Sequence, residues 1–187
     1  MSSVILQDSA AKREMYQIVL PLAIGKSLFA VSSKDIYQPM LEKTVGVFND
    51  EDKTILVATD THSMLVATAP NKLDIPTGNY KHEIPPATSS GKGRMLLSSF
   101  STPFPNYASA MSKLAPLVPI GSLNTHCGKL QTCKPVCIDY RRFAPLCSAI
   151  YELETVAGEG DRAYLFKCKY DDWSLTYVMM PMTRADV

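Results

Sequence analysis

Residues Thr54 to Ala69 read TILVATDTHSMLVATA, and the rest of the chain is interpreted outward from them. Two apolar, β-branched runs, Thr54–Thr59 and Met64–Ala69, flank the polar break Asp60-Thr61-His62-Ser63. Runs of this kind around a short break of turn formers predict a β-hairpin. Both runs are nearly continuous in apolar residues, which predicts that both faces of the hairpin are covered. Asp, Thr and Ser side chains hydrogen-bond their own turn backbone, so structure alone gives the break a reason to be polar.

Toward the amino terminus, residues 1–15 are polar and expected to fray. Tyr16–Leu20 reads as a strand stopped by Pro21, a residue tolerated in the first turn of a helix. Leu22, Ile24, Leu28 and Phe29 fall near one helical face and predict a helix over Leu22–Ser32. Gly25 weakens that helix by about 1 kcal/mol relative to alanine. Met40–Phe48 is expected to be a strand and 49–53 its turn, so that the hairpin completes a βαβββ unit.

Toward the carboxy terminus, Pro70 to Pro119 holds eight of the 13 prolines, which leaves no room for a long helix. Ser89–Arg94, SSGKGR, lacks the spacing of a phosphate-binding loop and reads as a flexible basic turn. Val136–Ile138 reads as a short strand. Asp139 is a suitable N-cap, and Phe143, Leu146, Cys147 and Ile150 predict a helix over 139–150 that Pro145 kinks or delays. Ala163–Tyr170 and Trp173–Met180 form a second hairpin around Asp171-Asp172. The expected class is α+β: two βαβββ-type half-domains with antiparallel sheets and two helices. They make one domain over 16–187, divided into a first half (16–70), a proline-rich connector (71–135) and a second half (136–187).

Composition bounds the function. A chain of 187 residues, 46% hydrophobic, buries about 70% of its unfolded surface and requires no metal or disulfide staple. A formal net charge of +1 argues against a strongly basic nucleic-acid binder and leaves room only for a local patch. Met1–Glu14 lacks a secretory pattern, and the apolar runs are far short of the roughly 20 residues that span a bilayer. A cytoplasmic protein with reduced thiols and no membrane partner is therefore expected. His126, Cys127, Cys133 and Cys137 cluster without the paired spacing of zinc sites, so no metal or cofactor is expected. Asp60, His62 and Ser63 are neighbours in one tight turn. A nucleophile, base and orienter must converge from different directions, so no enzyme is expected.

A resemblance adds to this reading. ATDTHSMLVA, residues 58–67, resembles the ATDGHRLAV segment of the bacterial DNA polymerase III β sliding clamp family. Three further matches follow the family's order. Val19-Leu20-Pro21, a short helix, Asp35-Ile36-Tyr37 and Val45-Gly46-Val47-Phe48 resemble the entry into the clamp's middle domain. Phe104-Pro105-Asn106-Tyr107 resembles its FPDY interdomain link, and Tyr177-Val178-Met179-Met180-Pro181-Met182 its closing YVVMPMRL. The resemblance implies a DNA-clamp-like fold and a processivity factor or protein-binding hub for DNA replication. It also implies a hydrophobic groove that takes short peptides from DNA polymerase and other partners. By motif match the groove is lined by Thr59, Thr61, His62 and Met64, by Pro105 and Ala110, and by Val178, Met180, Pro181 and Met182. Clamp helices face double-stranded DNA without reading its sequence, which implies DNA-facing roles for Lys26, Lys34, Arg141 and Arg142. Because the family ring contains six domains, a one-domain chain implies a homo-oligomer; the alternative is a monomeric or dimeric peptide-binding module without encirclement. The chain departs from the family where Thr61 replaces glycine, Ser63 replaces arginine and Thr183 replaces the arginine after MPM.

Overall fold

Tyr16, Ile18 and Leu20 alternate along a strand, and Ile24, Leu28 and Val31 recur at helical spacing just after Pro21; all six are buried in one core. This is the organising contact of the computed structural model. It describes residues 5–8, 13–32, 34, 37–38, 40–83, 91–112, 119–124, 129–132, 152–157 and 163–180. The first strands are β1 (Ile5–Asp8) and β2 (Arg13–Pro21), followed by helix α1 (Leu22–Val31). Next come β3 (Thr44–Asn49), β4 (Thr54–Thr59), β5 (Ser63–Thr68), β6 (Gly78–Glu83) and β7 (Lys92–Phe100). A short helix α2 (Tyr107–Ser112) precedes β8 (Pro119–Asn124), β9 (Lys129–Thr132) and β10 (Glu152–Ala157). Strands β11 (Tyr164–Tyr170) and β12 (Trp173–Met179) end the described fold.

The strands form one twelve-stranded sheet in the order β1-β2-β7-β6-β3-β4-β5-β12-β11-β10-β8-β9. Every adjacent pair is antiparallel. The expected α+β class with antiparallel sheets is what the structure has. Its first half is the expected βαβββ unit, β2-α1-β3-β4-β5. Its second half contributes β10, β11 and β12, joined to the first by the pairing of β12 with β5. The second described helix is α2, in the link; the helix expected over 139–150 and the strand expected at 136–138 lie outside the described residues. No described helix is long and apolar enough to cross a membrane.

Several sequence expectations need correction. Residues 40–43 turn instead of extending, because Lys43 has a left-handed backbone (φ 50°) and Thr44 Oγ1 donates to Met40 O at 2.8 Å. The proline-rich connector supplies four strands, and two of them, β6 and β7, lie between β2 and β3 in the sheet. No proline falls within β6 or β7, and Pro119 is the first residue of β8, so no interior ladder hydrogen bond is lost. Lys92–Arg94, read as part of a turn, starts β7 opposite Val19–Pro21. Ile5–Asp8, in the segment expected to fray, pairs with β2.

One polar side chain stands out in the core. His82 on β6 is 2% exposed, lies edge-on to Phe29 of α1 at 5.5 Å between ring centroids, and neither ring nitrogen has a hydrogen-bond partner among the described residues. Burial, and next the Lys43 cation, lower its pKa from 6.5 to about 4, so the ring is neutral at physiological pH.

Candidate functional site

The hairpin break is a rigid loop. Asp60 Oδ1 accepts from the backbone of His62 (3.0 Å) and Ser63 (2.7 Å) and from Ser63 Oγ (2.9 Å). Thr59 Oγ1 donates to Ser63 O at 2.7 Å and accepts from Thr61 N at 3.1 Å. These bonds hold Thr61 at φ 76°, a left-handed conformation in which a β-branched residue is strained. That is the position at which the clamp segment has glycine. Ser63 is buried and donates to Asp60, while His62 is exposed with Nδ1 3.2 Å from Thr61 Oγ1. The three side chains therefore do not form a nucleophile–base–orienter relay.

The loop meets the end of β12. Met180 N donates to His62 O at 2.8 Å, so the second half's last described residue is fastened to the first half's hairpin. Behind this bond the ladder aligns Thr59 with Met64, Met64 with Val178, and Val178 with Leu165. Directly paired residues share a face, so these four side chains form one row across β4, β5, β12 and β11. Met64 and Val178 are 8% and 7% exposed, and both belong to a compact apolar cluster with Val57, Val66, Ala163 and Leu165. Phe104 from the link and Tyr107 and Met111 from α2 pack on the same cluster. Burial, and then the Asp50 carboxylate, raise the pKa of Tyr107, which keeps its phenol neutral.

The predicted groove residues thus separate into groups. Thr59, Met64 and Val178 share the row; Thr61 and His62 form the loop beside it; Met180, 49% exposed, adjoins the loop through its backbone. Pro105 and Ala110 are exposed on the link and α2. Pro181 and Met182 lie outside the described residues, as do Arg141 and Arg142 of the predicted DNA-facing set and the His126–Cys137 cluster. Lys26 and Lys34 are exposed, on α1 and just beyond it. Phe104, Tyr107 and Met111 were missed as lining residues. Their i, i+3, i+7 spacing was a visible sign that one side of the link is apolar. A cavity of about 700 Å³ opens at the other end of the β5–β12 seam, lined in part by Leu20, Pro70, Leu73 and Trp173; no predicted groove residue lines it.

No family model matches the sequence, and no curated protein matches it. The structure is nonetheless similar to solved sliding clamps. One is the Helicobacter pylori beta clamp bound to a DNA ligase peptide, at TM-score 0.59 and 10% identity over 90% of this chain and 65% of that one. Another is a DNA polymerase III beta subunit from Eubacterium rectale, at TM-score 0.55 and 13% identity over 97% and 67%. A third is the Bacillus subtilis sliding clamp, at TM-score 0.50 and 11% identity over 96% and 74%. The chain spans 65% of the length of the Helicobacter clamp it matches. At these identities the likeness is one of fold, and in fold the chain is a divergent clamp-like protein.

Proposed function

We propose that this clamp-like fold holds partner proteins through short apolar peptides and, in a closed ring of copies, tethers them to double-stranded DNA as a processivity factor. The observation that carries the peptide reading is the Met180–His62 bond with the Thr59-Met64-Val178 row behind it, which joins the first half's hairpin to the last described strand around one apolar cluster. A peptide anchored by aliphatic and aromatic side chains needs such a floor and no acid–base chemistry. Methionine suits it, because a flexible, polarizable side chain adapts to several partners. The Helicobacter clamp, similar in fold, is bound to a DNA ligase peptide, which supports a peptide as the kind of partner this fold takes.

Lys26 and Lys34 would give weak, salt-sensitive phosphate contacts. With a net charge of +1, a single copy would hold DNA poorly, so retention depends on a homo-oligomeric ring closed by head-to-tail interfaces. The near-neutral charge also favours a second reading, a peptide-binding module that does not encircle DNA. Fluorescence anisotropy with a labelled peptide carrying leucine and phenylalanine anchors tests the surface. Micromolar binding is expected, weakened about tenfold or more by Met180→Glu with the urea midpoint unchanged. No binding at high micromolar protein removes the peptide reading. Light scattering then separates ring from module: a monomer at every concentration eliminates the ring.

A further inference from the structure

We infer that Gly46 is a positioning residue, whose missing side chain seats Phe104 and thereby places the link and α2 beside the candidate groove. Gly46 pairs with Val57 on β4, so its absent side chain would lie on the face that carries the groove cluster. A Cβ built there would stand 2.6 Å from Phe104 Cγ, 2.7 Å from Phe104 Cδ1 and 2.8 Å from Phe48 Cε2. The Phe104 ring therefore occupies the volume a side chain would fill. Gly46 has no positive φ, so glycine is required there by space and not by backbone conformation.

The contacts continue from this seat to the groove. Phe48 lies 6.1 Å from Phe104 in an edge-on arrangement and 4.5 Å from Tyr107, between ring centroids. Tyr107 opens α2, and with Met111 it packs on the cluster that contains Met64 and Val178. Asn79 Nδ2 donates to Thr102 O at 2.9 Å, fixing the chain as it enters the link. A β-carbon at position 46 must move Phe104, and Phe104 cannot move without disturbing the packing of Phe48 and Tyr107.

The functional consequence rests on the peptide-binding reading; the seat itself does not. A double-mutant cycle of Gly46→Ala and Phe104→Ala tests it, read by hydrogen exchange of the α2 amides and by peptide affinity. Gly46→Ala alone is expected to speed exchange at Tyr107–Ser112 and weaken the labelled peptide, each about tenfold, as overpacking of this severity does. In the Phe104→Ala background the same change is expected to cost clearly less, because the nearest ring is gone and the Phe48 edge, the remaining close contact, can swing into the space it leaves. Unchanged α2 exchange in Gly46→Ala, or an equal loss in both backgrounds, overturns the seat. If the native chain binds no peptide, the peptide reading falls and the exchange cycle still decides the seat.

Discussion

Thr61→Gly should stabilise the protein, although it removes a side chain and adds the most flexible residue. Thr61 is held at φ 76°, and a left-handed backbone costs an L-residue about 1–2 kcal/mol. Glycine escapes that cost but gives back about 0.5–1 kcal/mol through its freer unfolded chain. The substitution also removes the approach of Thr61 Oγ1 to His62 Nδ1 at 3.2 Å, which is exposed and contributes little. The loop's other bonds use Asp60, Thr59 and backbone groups, so they survive the change. The expected net gain is about 0.5–1 kcal/mol, while Thr61→Ala keeps the left-handed cost of an L-residue and stays close to the native chain. Trp173, the single tryptophan and 6% exposed, reports unfolding by fluorescence. At a urea dependence of about 2 kcal/mol per molar, the glycine variant's midpoint should rise by about 0.3–0.5 M at unchanged slope. An alanine variant as stable as the glycine variant would refute the argument, since both would then relieve the same strain or neither would.

Three further outcomes follow from groups already described. Asp60→Ala leaves the acceptor's three donors without their partner and should cost about 2 kcal/mol, whereas Asp60→Asn keeps a carbonyl oxygen and should cost less than about 1 kcal/mol, both read from urea midpoints. His82 has a folded pKa of about 4 against an ordinary 6.5, so its contribution is complete above pH 6.5 and is lost as pH falls through 4. The loss amounts to about 3 kcal/mol, and His82→Phe should flatten that part of the stability profile between pH 6.5 and pH 4. If Lys26 and Lys34 face DNA within a ring, Lys26→Glu with Lys34→Glu should shorten retention on circular DNA and reduce its salt dependence, leaving peptide anisotropy unchanged.

What was legible in the sequence was local. The hairpin could be read because two apolar β-branched runs enclose a break of turn formers, and β5 begins only one residue earlier than expected, at Ser63. Helix α1 could be read because Pro21 marks its start and the apolar spacing is helical. Strand β6, GNYKHE, was hidden because its buried side chains, Asn79, Tyr80 and His82, do not make an apolar run. Strand β7 alternates cleanly, with Gly93, Met95 and Leu97 buried, but the surrounding prolines masked it. The row Thr59-Met64-Val178 depends on the register between β5 and β12, which hydrophobic pattern alone does not specify. Only the resemblance to clamps brought those residues together in advance. Thr61 shows the converse: its departure from the family was visible, but the strain it implies required a backbone angle.

The β5–β12 pairing also bears on how the protein is made. Ser63 and Met179 are partners, so this rung closes only when nearly all of the described chain is available. Closing so long a loop is entropically costly, and sheets built on such distant partners fold slowly. During synthesis the first hairpin therefore leaves the ribosome with the β5 edge uncovered and waits for β12. Until β12 and Met180 arrive, the apolar row lacks Val178 and His62 O lacks its backbone donor, so the candidate groove is assembled long after its first hairpin has been made.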